Sequence, residues 1–318
     1  MQRLLSANLA YVVEPSWAQL PLGWELGDVA GVAADAADQV YVFHRGAHPV
    51  VVFSREGQFL RSWGEDIFTR PHGIHVGRDG FVYCTDDGDH TVRKCTPEGK
   101  VLLHLGVPGS AAQPMSGRPF NRCTHTALSP SGDIYVSDGY GNACVHKFSP
   151  DGRHLLSWGQ PGIGPGEFNI PHNICCDDEG WVYVADRESH RIQVFDGAGR
   201  YQAEIRGIHR PCAMCLHKGR LFVGEVGPGL PINRLVPNLG PRISVLTADG
   251  DLVARIGEGP GEGDTQFMAP HGIAVDSRGD IYVGEVAAAA WSEIYPERER
   301  PSRIRTFRKL VQVAGQLE

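Results

Sequence analysis

The dipeptide Pro-His occurs three times in equivalent surroundings. The histidines are His72 in RPHGI, His172 in IPHNI and His271 in APHGI, and they lie 100 and 99 residues apart. Three imidazoles that leave one coordination position open form the ligand set of a catalytic zinc site, and iron or manganese are alternatives. A structural role is the other interpretation, in which each histidine caps a strand end and bonds a carbonyl. Because the three are in register, the pattern favours a divalent metal.

The three histidines share one position in a repeat. A hydrophobic residue followed by Tyr-Val, or a close variant, recurs six times after Gly or Asp, with central aromatics 39 to 60 residues apart. Each histidine precedes a central aromatic by 11 residues. Repeats of this length with short β segments and tight Gly turns are typical of β-propeller blades. The sequence therefore predicts an all-β, six-bladed β-propeller formed as a single domain by residues 1–318. The central aromatics are Tyr41, Tyr83, Tyr135, Tyr183, Phe222 and Tyr282.

The histidine position lies at the entry to the innermost strand of a blade, and we call it the entry position. In a propeller these entries surround the central axis on one face, so the three imidazoles are expected to meet there. The remaining entry positions hold Ala30, Thr124 and, allowing a one-residue deletion, Cys212 in RPCAM. His125 lies one step past the third of these. We expect His125 and Cys212 near a substrate, although Cys212 could instead be a small buried apolar residue.

The two ends of the chain are expected to share a blade. After Tyr282 the sixth repeat ends without a clear fourth strand, and the N-terminal stretch NLAYVVEPSW has no repeat of its own. A strand around Tyr11 to Val13 is therefore predicted to form the outer strand of the sixth blade. This pairing would close the ring and cover an exposed sheet edge.

Composition excludes several classes of partner. The net charge is −7 and no basic run is present, which argues against nucleic acid. No segment approaches the roughly 20 apolar residues that cross a bilayer. Eight cysteines are too few for a chain of this length to be a disulfide scaffold, so reduced thiols in the cytoplasm are expected. A small molecule or a short peptide is the expected partner, and the sequence leaves the oligomeric state open.

Residues from about 29 to 290 resemble peptidyl-α-hydroxyglycine α-amidating lyase, whose repeats are of the NHL type. Six strings carry the resemblance through their order and blade positions. They are VFHRGAH (42–48), PHGI (71–74), VSDGYGN (136–142), PHNI (171–174), VADRESHRIQVF (184–195) and PHGI (270–273). As a set they are specific to the family, although each alone is a common propeller string.

The resemblance implies roles for individual residues. It implies a six-bladed propeller whose catalytic zinc is held by His72, His172 and His271. The family's catalytic tyrosine matches Tyr140, and its active-site arginines match Arg45 and Arg187.

The chain also departs from the family at several positions. The Asp that serves a structural calcium in the family is Gly272 here, which argues against calcium, although the family's carbonyl ligands match Val32 and Ile74. Gly141 replaces one disulfide cysteine, and Tyr183 and Val194 replace the other pair, so neither family disulfide is expected. A methionine beside the third histidine is Ala269, so a different substrate pocket is expected.

Together these residues favour cleavage of the C–N bond of an α-hydroxy carbinolamide carboxylate, giving an amide and glyoxylate or a related oxo acid. Two alternatives stay open: a metal-dependent hydrolase or hydratase acting on a small hydroxy acid at the same site, and an NHL propeller that binds a partner without catalysis. Long insertions at 227–241 and 284–302 are expected to rise on the active face. Trp291 and Tyr295, in the second insertion, are candidate pocket walls, although packing against the blade is equally compatible.

Overall fold

A computed structural model describes residues 3–6 and 9–313, which form 25 strands, one α-helix and two short 3-10 turns. The strands make six separate antiparallel sheets, five with four strands and one with five. Six such sheets in chain order confirm the predicted six-bladed β-propeller. Within the described residues, the one α-helix spans eight residues, and none is long and apolar enough to cross a membrane.

The strands follow the chain from blade to blade. Blade 1 contains β3 (Val29–Ala34), β4 (Val40–His44), β5 (Val50–Phe53) and β6 (Phe59–Trp63). Blade 2 contains β7 (Pro71–Val76), β8 (Val82–Asp86), β9 (Thr91–Cys95) and β10 (Val101–Leu105). Blade 3 contains β11 (His125–Leu128), β12 (Ile134–Asp138), β13 (Cys144–Phe148) and β14 (His154–Trp158).

The second half of the chain continues the pattern. Blade 4 contains β15 (Pro171–Cys176), β16 (Val182–Asp186), β17 (Arg191–Phe195) and β18 (Tyr201–Ile205). Blade 5 contains β19 (Pro211–His217), β20 (Arg220–Glu225), β21 (Arg242–Thr247) and β22 (Leu252–Ile256). Blade 6 contains β23 (Pro270–Val275), β24 (Ile281–Glu285) and β25 (Phe307–Val313), together with β2 (Leu9–Glu14) and β1 (Arg3–Ser6). The helix α1 (Ala287–Ile294) lies between β24 and β25.

The blades fall into two compact units. One comprises Met1–Gly46, Val51–Leu60 and Ile208–Glu318 and holds blades 5 and 6 with most of blade 1. The other comprises Ala47–Val50 and Arg61–Gly207 and holds blades 2, 3 and 4. A single domain over 1–318 stays a prediction.

The repeated aromatic is buried near the start of the second strand of each blade. Burial of a tyrosine ring is favourable only if its hydroxyl finds a partner. In blade 2, for example, the Tyr83 hydroxyl donates to Asp79 Oδ2 at 2.8 Å, and in blade 6 the Tyr282 hydroxyl donates to Asp276 Oδ2 at 3.0 Å. Each acceptor lies in the turn before the same strand, so the Asp-containing turns and the Tyr-Val strands of the repeat form one local structure.

The sixth blade contains strands from both ends of the chain. Its strand order is β1-β2-β25-β24-β23, with Tyr11 opposite Gln312 and Val12 opposite Val311. The prediction that the segment around Tyr11 to Val13 supplies the outer strand is confirmed. The structure adds a fifth strand, β1, which the sequence did not predict.

Candidate active site

A buried polar side chain at the end of each second strand fixes the loop that leads to the entry position. This residue lies three positions after the central aromatic, and it accepts the backbone N–H of the residue three positions before the entry position. The carboxylate oxygen, or in one blade the imidazole nitrogen, thus provides the hydrogen-bond acceptor that this buried backbone N–H needs in the absence of water. The pairs are His44 with Gly27, Asp86 with Thr69, Asp138 with Asn121, Asp186 with Asn169, Glu225 with His209, and Glu285 with Met268.

An ion pair with the third strand balances most of these buried acids. Arg191 bonds Asp186 at 2.9 Å in blade 4, and Arg242 bonds Glu225 at 2.8 Å in blade 5. Burial raises the pKa of Asp186, and Arg191 opposes that shift. A charge removed from water is tolerated when it is paired and hydrogen-bonded, as here. The loops that lead to the entry positions are therefore held by a buried network of hydrogen bonds and ion pairs.

His72 is oriented by a backbone carbonyl. Its Nδ1 lies 2.7 Å from the carbonyl oxygen of Thr124, the entry residue of blade 3. A carbonyl only accepts, so Nδ1 carries the proton and the lone pair is on Nε2. His271 has the same arrangement within the other unit, with Nδ1 2.7 Å from the carbonyl oxygen of Ala30, the entry residue of blade 1. This second contact is the usual support of a metal-binding histidine.

Tyr140 joins the histidines of blades 2 and 4. Its hydroxyl lies 3.1 Å from Nε2 of His72 and 2.8 Å from Nε2 of His172. The two imidazoles are themselves in edge contact, with ring centroids 4.9 Å apart. Tyr140 follows β12, and its backbone N–H donates to the carbonyl of Arg122 at 3.4 Å. The phenol is therefore placed where it can exchange a proton with a group held by the two Nε2 atoms.

Two groups of buried side chains among the described residues have the composition of a metal site. The first consists of His72 and His172, whose Nε2 atoms both lie near the Tyr140 hydroxyl, together with His271 of the other unit, whose approach to them stays a prediction. The lone-pair assignment for His72 and His271 fits a divalent metal, because both offer an unprotonated Nε2.

Asp138, Cys144 and His146 form the second group. In this group His146 bonds Asp138 at 3.2 Å through Nε2 and Ser157 at 2.7 Å through Nδ1. Asn142 donates to the same Asp138 oxygen, so these hydrogen bonds account for the group without an ion.

Two guanidinium groups flank the Tyr140 ring. Arg187 lies with Cζ 5.5 Å from the ring centroid and Nη1 3.4 Å from the hydroxyl, and its Nε also bonds Glu188. Arg122 lies with Cζ 4.7 Å from the same centroid. The sequence identified Arg187 but missed Arg122. Arg45 follows β4 in the other unit, where its backbone N–H donates to the Asp28 carbonyl, and its catalytic role stays a prediction.

The candidate substrate-binding residues have varied surroundings. His125 begins β11, and burial lowers its pKa to about 4. Cys212 is buried as the second residue of β19. Trp291 is buried in a small cluster with Met268 and Ala287, and Tyr295 packs against that cluster. Contact of these four residues with a substrate stays a prediction.

Close packing explains two departures from the family pattern. A side chain at Gly272 would come within 2.8 Å of the backbone of Gly31 and Val32, so the Asp found there in the lyases cannot be accommodated without a backbone shift. A Cβ at Gly141 would come 2.0 Å from Asn121 Oδ1, so this position has no room for the family's cysteine. All eight cysteines are free thiols.

The family model for the NHL repeat matches residues 120–148 and 168–195, which cover most of blades 3 and 4. Mouse NHL repeat-containing protein 3 is 32% identical over 322 residues, which cover 94% of this chain and 90% of the relative. The chain belongs to the NHL repeat-containing protein 3 family.

More distant relatives carry the name of an enzyme. Peptidyl-alpha-hydroxyglycine alpha-amidating lyase 1 of Drosophila melanogaster is 29% identical over 337 residues, covering 89% of this chain and 59% of that protein. Among solved structures, that of a streptogramin B lyase matches with a TM-score of 0.62 at 14% identity, over 95% of this chain and 98% of that chain. The second match supports the propeller fold alone.

Proposed function

We propose that the protein is a metal-dependent lyase that cleaves the C–N bond of an α-hydroxy carbinolamide carboxylate, R-CO-NH-CH(OH)-COO⁻. The observation that carries the proposal is the Tyr140 hydroxyl, which lies within hydrogen-bond distance of Nε2 of both His72 and His172. The similarity to amidating lyases along most of the chain supports the same reaction class.

His72, His172 and His271 are the residues that would hold the metal through Nε2. A divalent ion held there would supply Lewis acidity that makes a nearby hydroxyl easier to deprotonate, and zinc suits three imidazoles. The carbonyls of Thr124 and Ala30 keep the imidazoles of His72 and His271 in the tautomer that this role requires.

Tyr140 is the proposed base. As the phenolate, it takes the proton of the substrate hydroxyl, and the Arg122 and Arg187 guanidiniums beside its ring stabilise the negative charge. The hydroxyl oxygen then forms the C=O bond of the oxo acid while the C–N bond breaks and its electron pair goes to nitrogen. That nitrogen, which keeps its own hydrogen, takes back the proton from Tyr140 and becomes the NH2 group of the primary amide.

Arginine side chains are the proposed partners of the substrate carboxylate. Arg187 contacts the Tyr140 hydroxyl, and Arg45 matches the second family arginine by position. A guanidinium binds a carboxylate through two parallel hydrogen bonds, which would fix the carbon that bears the hydroxyl. We place the protein in the cytoplasm in this proposal, with a small carbinolamide rather than a secreted peptide as substrate.

The test is product analysis with α-hydroxyhippurate and the zinc-reconstituted protein. The lyase reaction yields benzamide and glyoxylate in equal amounts. Hydrolysis of the amide bond would instead yield benzoate, and the hydroxyglycine released would break down to glyoxylate and ammonia. The exposed-surface variant Arg200→Ala should keep the wild-type rate, whereas chelator-treated protein should lose it.

Formation of benzoate rather than benzamide would show that the protein is a hydrolase and not a lyase. Absence of turnover together with absence of bound metal would favour a non-catalytic NHL propeller.

A further inference from the structure

A second group of charged residues lies beside Tyr140 and is not part of the metal centre. Asp87, directly after β8, is buried, with an exposed fraction of 1%. Its Oδ2 atom accepts from Nη2 of Arg122 at 2.8 Å and from Nη1 of Arg70. Arg70 and Arg122 therefore both bond one carboxylate oxygen, which makes their guanidinium groups neighbours.

The two guanidinium groups remain accessible although their partner is buried. The side chains of Arg70 and Arg122 are 41% and 43% exposed. Two guanidiniums and one carboxylate leave one net positive charge. Adjacent like charges repel, and an anion placed between them would be stabilised by charge-assisted hydrogen bonds from both.

Backbone contacts hold Arg122 in this place. Its φ of +60° lies in the left-handed region, and its N–H donates to Nδ1 of His90 at 3.1 Å. Its carbonyl accepts from the Tyr140 backbone N–H at 3.4 Å, while its guanidinium lies over the Tyr140 ring. The same residue thus connects Tyr140 to the Asp87 carboxylate.

We infer that Arg70 and Arg122 form a carboxylate-binding subsite beside Tyr140, and that this subsite takes the carboxylate of the substrate. The charge of Arg187 is opposed by Glu188 at 2.8 Å, whereas the Arg70 and Arg122 pair retains a net positive charge. The inference rests on the proposed function because both place a small carboxylate substrate next to the Tyr140 hydroxyl. It assigns the carboxylate to Arg70 and Arg122 in place of Arg45 and Arg187, and Arg187 then serves the Tyr140 hydroxyl, which its Nη1 contacts at 3.4 Å.

The test is calorimetric binding of hippurate, which carries the carboxylate but lacks the hydroxyl and does not react. Its uncharged carboxamide serves as the matched ligand. Wild-type protein should bind hippurate more tightly than the carboxamide. Arg122→Ala and Arg70→Ala should each weaken hippurate binding by about 10- to 100-fold, the range of a lost charge-assisted hydrogen bond, and leave carboxamide binding unchanged.

Controls separate the subsite from a general loss of structure. Each single variant leaves the other guanidinium on Asp87, so the buried carboxylate keeps a partner. Arg122→Lys should retain part of the affinity, because the charge remains. Arg200→Ala removes an exposed arginine that pairs with Asp196 in the same unit, and it should have no effect.

The inference is overturned if wild-type protein binds hippurate no better than the carboxamide, or if Arg122→Ala binds hippurate as wild type does. Arginine-dependent hippurate binding in a protein that releases no glyoxylate would support the subsite while removing the proposed lyase reaction. The two claims therefore fail separately.

Discussion

Blades 2 and 3 have the same four-stranded architecture but use the entry position differently. In blade 2 that position holds His72, whose imidazole is directed at the Tyr140 hydroxyl. In blade 3 it holds Thr124, whose carbonyl bonds Nδ1 of that same imidazole. The pair formed by His271 in blade 6 and Ala30 in blade 1 repeats the arrangement. One repeated position thus supplies imidazole side chains in some blades and the carbonyls that orient two of them in the blades that follow.

The difference shows how a repeat becomes asymmetric without loss of its fold. Both blades have the same four strands and the same buried acid at the end of the second strand. Asp86 in blade 2 and Asp138 in blade 3 each accept a backbone N–H of the loop that leads to the entry position. Blade 3 has no imidazole at its entry position, and its loops contribute Tyr140 and Arg122 instead. Because a backbone carbonyl is available from any residue, the supporting position tolerates Ala30 and Thr124 equally.

The largest effect should come from removing the functional hydroxyl of blade 3. Tyr140→Phe keeps the ring that Arg122 and Arg187 contact, so the fold and the metal content should be unchanged. Loss of a general base costs about 10²–10⁴ in rate, and we expect kcat for the active substrate to fall by that factor. Tyr83→Phe in blade 2 removes a structural hydroxyl and should leave kcat at the wild-type value. A Tyr140→Phe enzyme with more than half of the wild-type kcat would remove this residue from the mechanism.

A smaller effect is expected on stability at acid pH. The residue opposite the central aromatic is His75 in blade 2 and Ala127 in blade 3, so only blade 2 has a titratable group there. Burial, and then the neighbouring His125, lower the pKa of His75 to about 3. The unfolded chain binds this proton near pH 6.5 and the folded chain does not, so stability present above pH 6.5 is lost as the pH falls toward 3. At pH 5 the loss is about 2 kcal/mol for this residue.

His75→Ala makes blade 2 resemble blade 3 at this position. Urea unfolding at pH 7 and pH 5 should show that the variant loses about 2 kcal/mol less than wild type between the two values. All other histidines are the same in both proteins, so any contribution of theirs cancels in the comparison. Equal losses would show that His75 is not kept neutral in the folded protein.

The smallest effect should follow from Thr124→Val, because the carbonyl that supports His72 remains. The Thr124 hydroxyl bonds Ser137 Oγ at 2.8 Å and the Pro171 carbonyl at 3.0 Å. Loss of these bonds should lower the free energy of unfolding by about 1 kcal/mol, with metal content and kcat unchanged. A variant that loses its metal would show that the side chain, rather than the carbonyl, supports the imidazole.

The regular spacing of the repeat made most of the fold predictable. Six central aromatics gave the second strands, and the incomplete sixth repeat identified Tyr11 to Val13 as its outer strand. The buried acids could also have been predicted from the sequence, since each follows a central aromatic by three residues. However, a single Asp or Glu after a strand is common in loops and does not by itself indicate burial. Strand β1 gave no signal because the repeat was already complete without it.

The site was only partly predictable for a physical reason. Histidines in register are recognisable because a metal needs several like ligands, and Tyr140 and Arg187 followed from the family resemblance. Arg70 and Arg122 lie two residues before an entry position, as does Arg210, and arginine in a loop usually forms a solvent-exposed ion pair. Their proximity depends on Asp87 in the folded chain, which no spacing along the sequence reveals.

The central claim is that three histidines hold one metal ion, and metal analysis of the purified protein after zinc reconstitution and dialysis tests it most directly. About one zinc per chain is expected in wild type. Substoichiometric zinc is expected in His72→Ala, His172→Ala and His271→Ala, with the folded state checked by circular dichroism. Full zinc occupancy in any of these three variants, or a folded wild-type protein that retains no zinc, would contradict it.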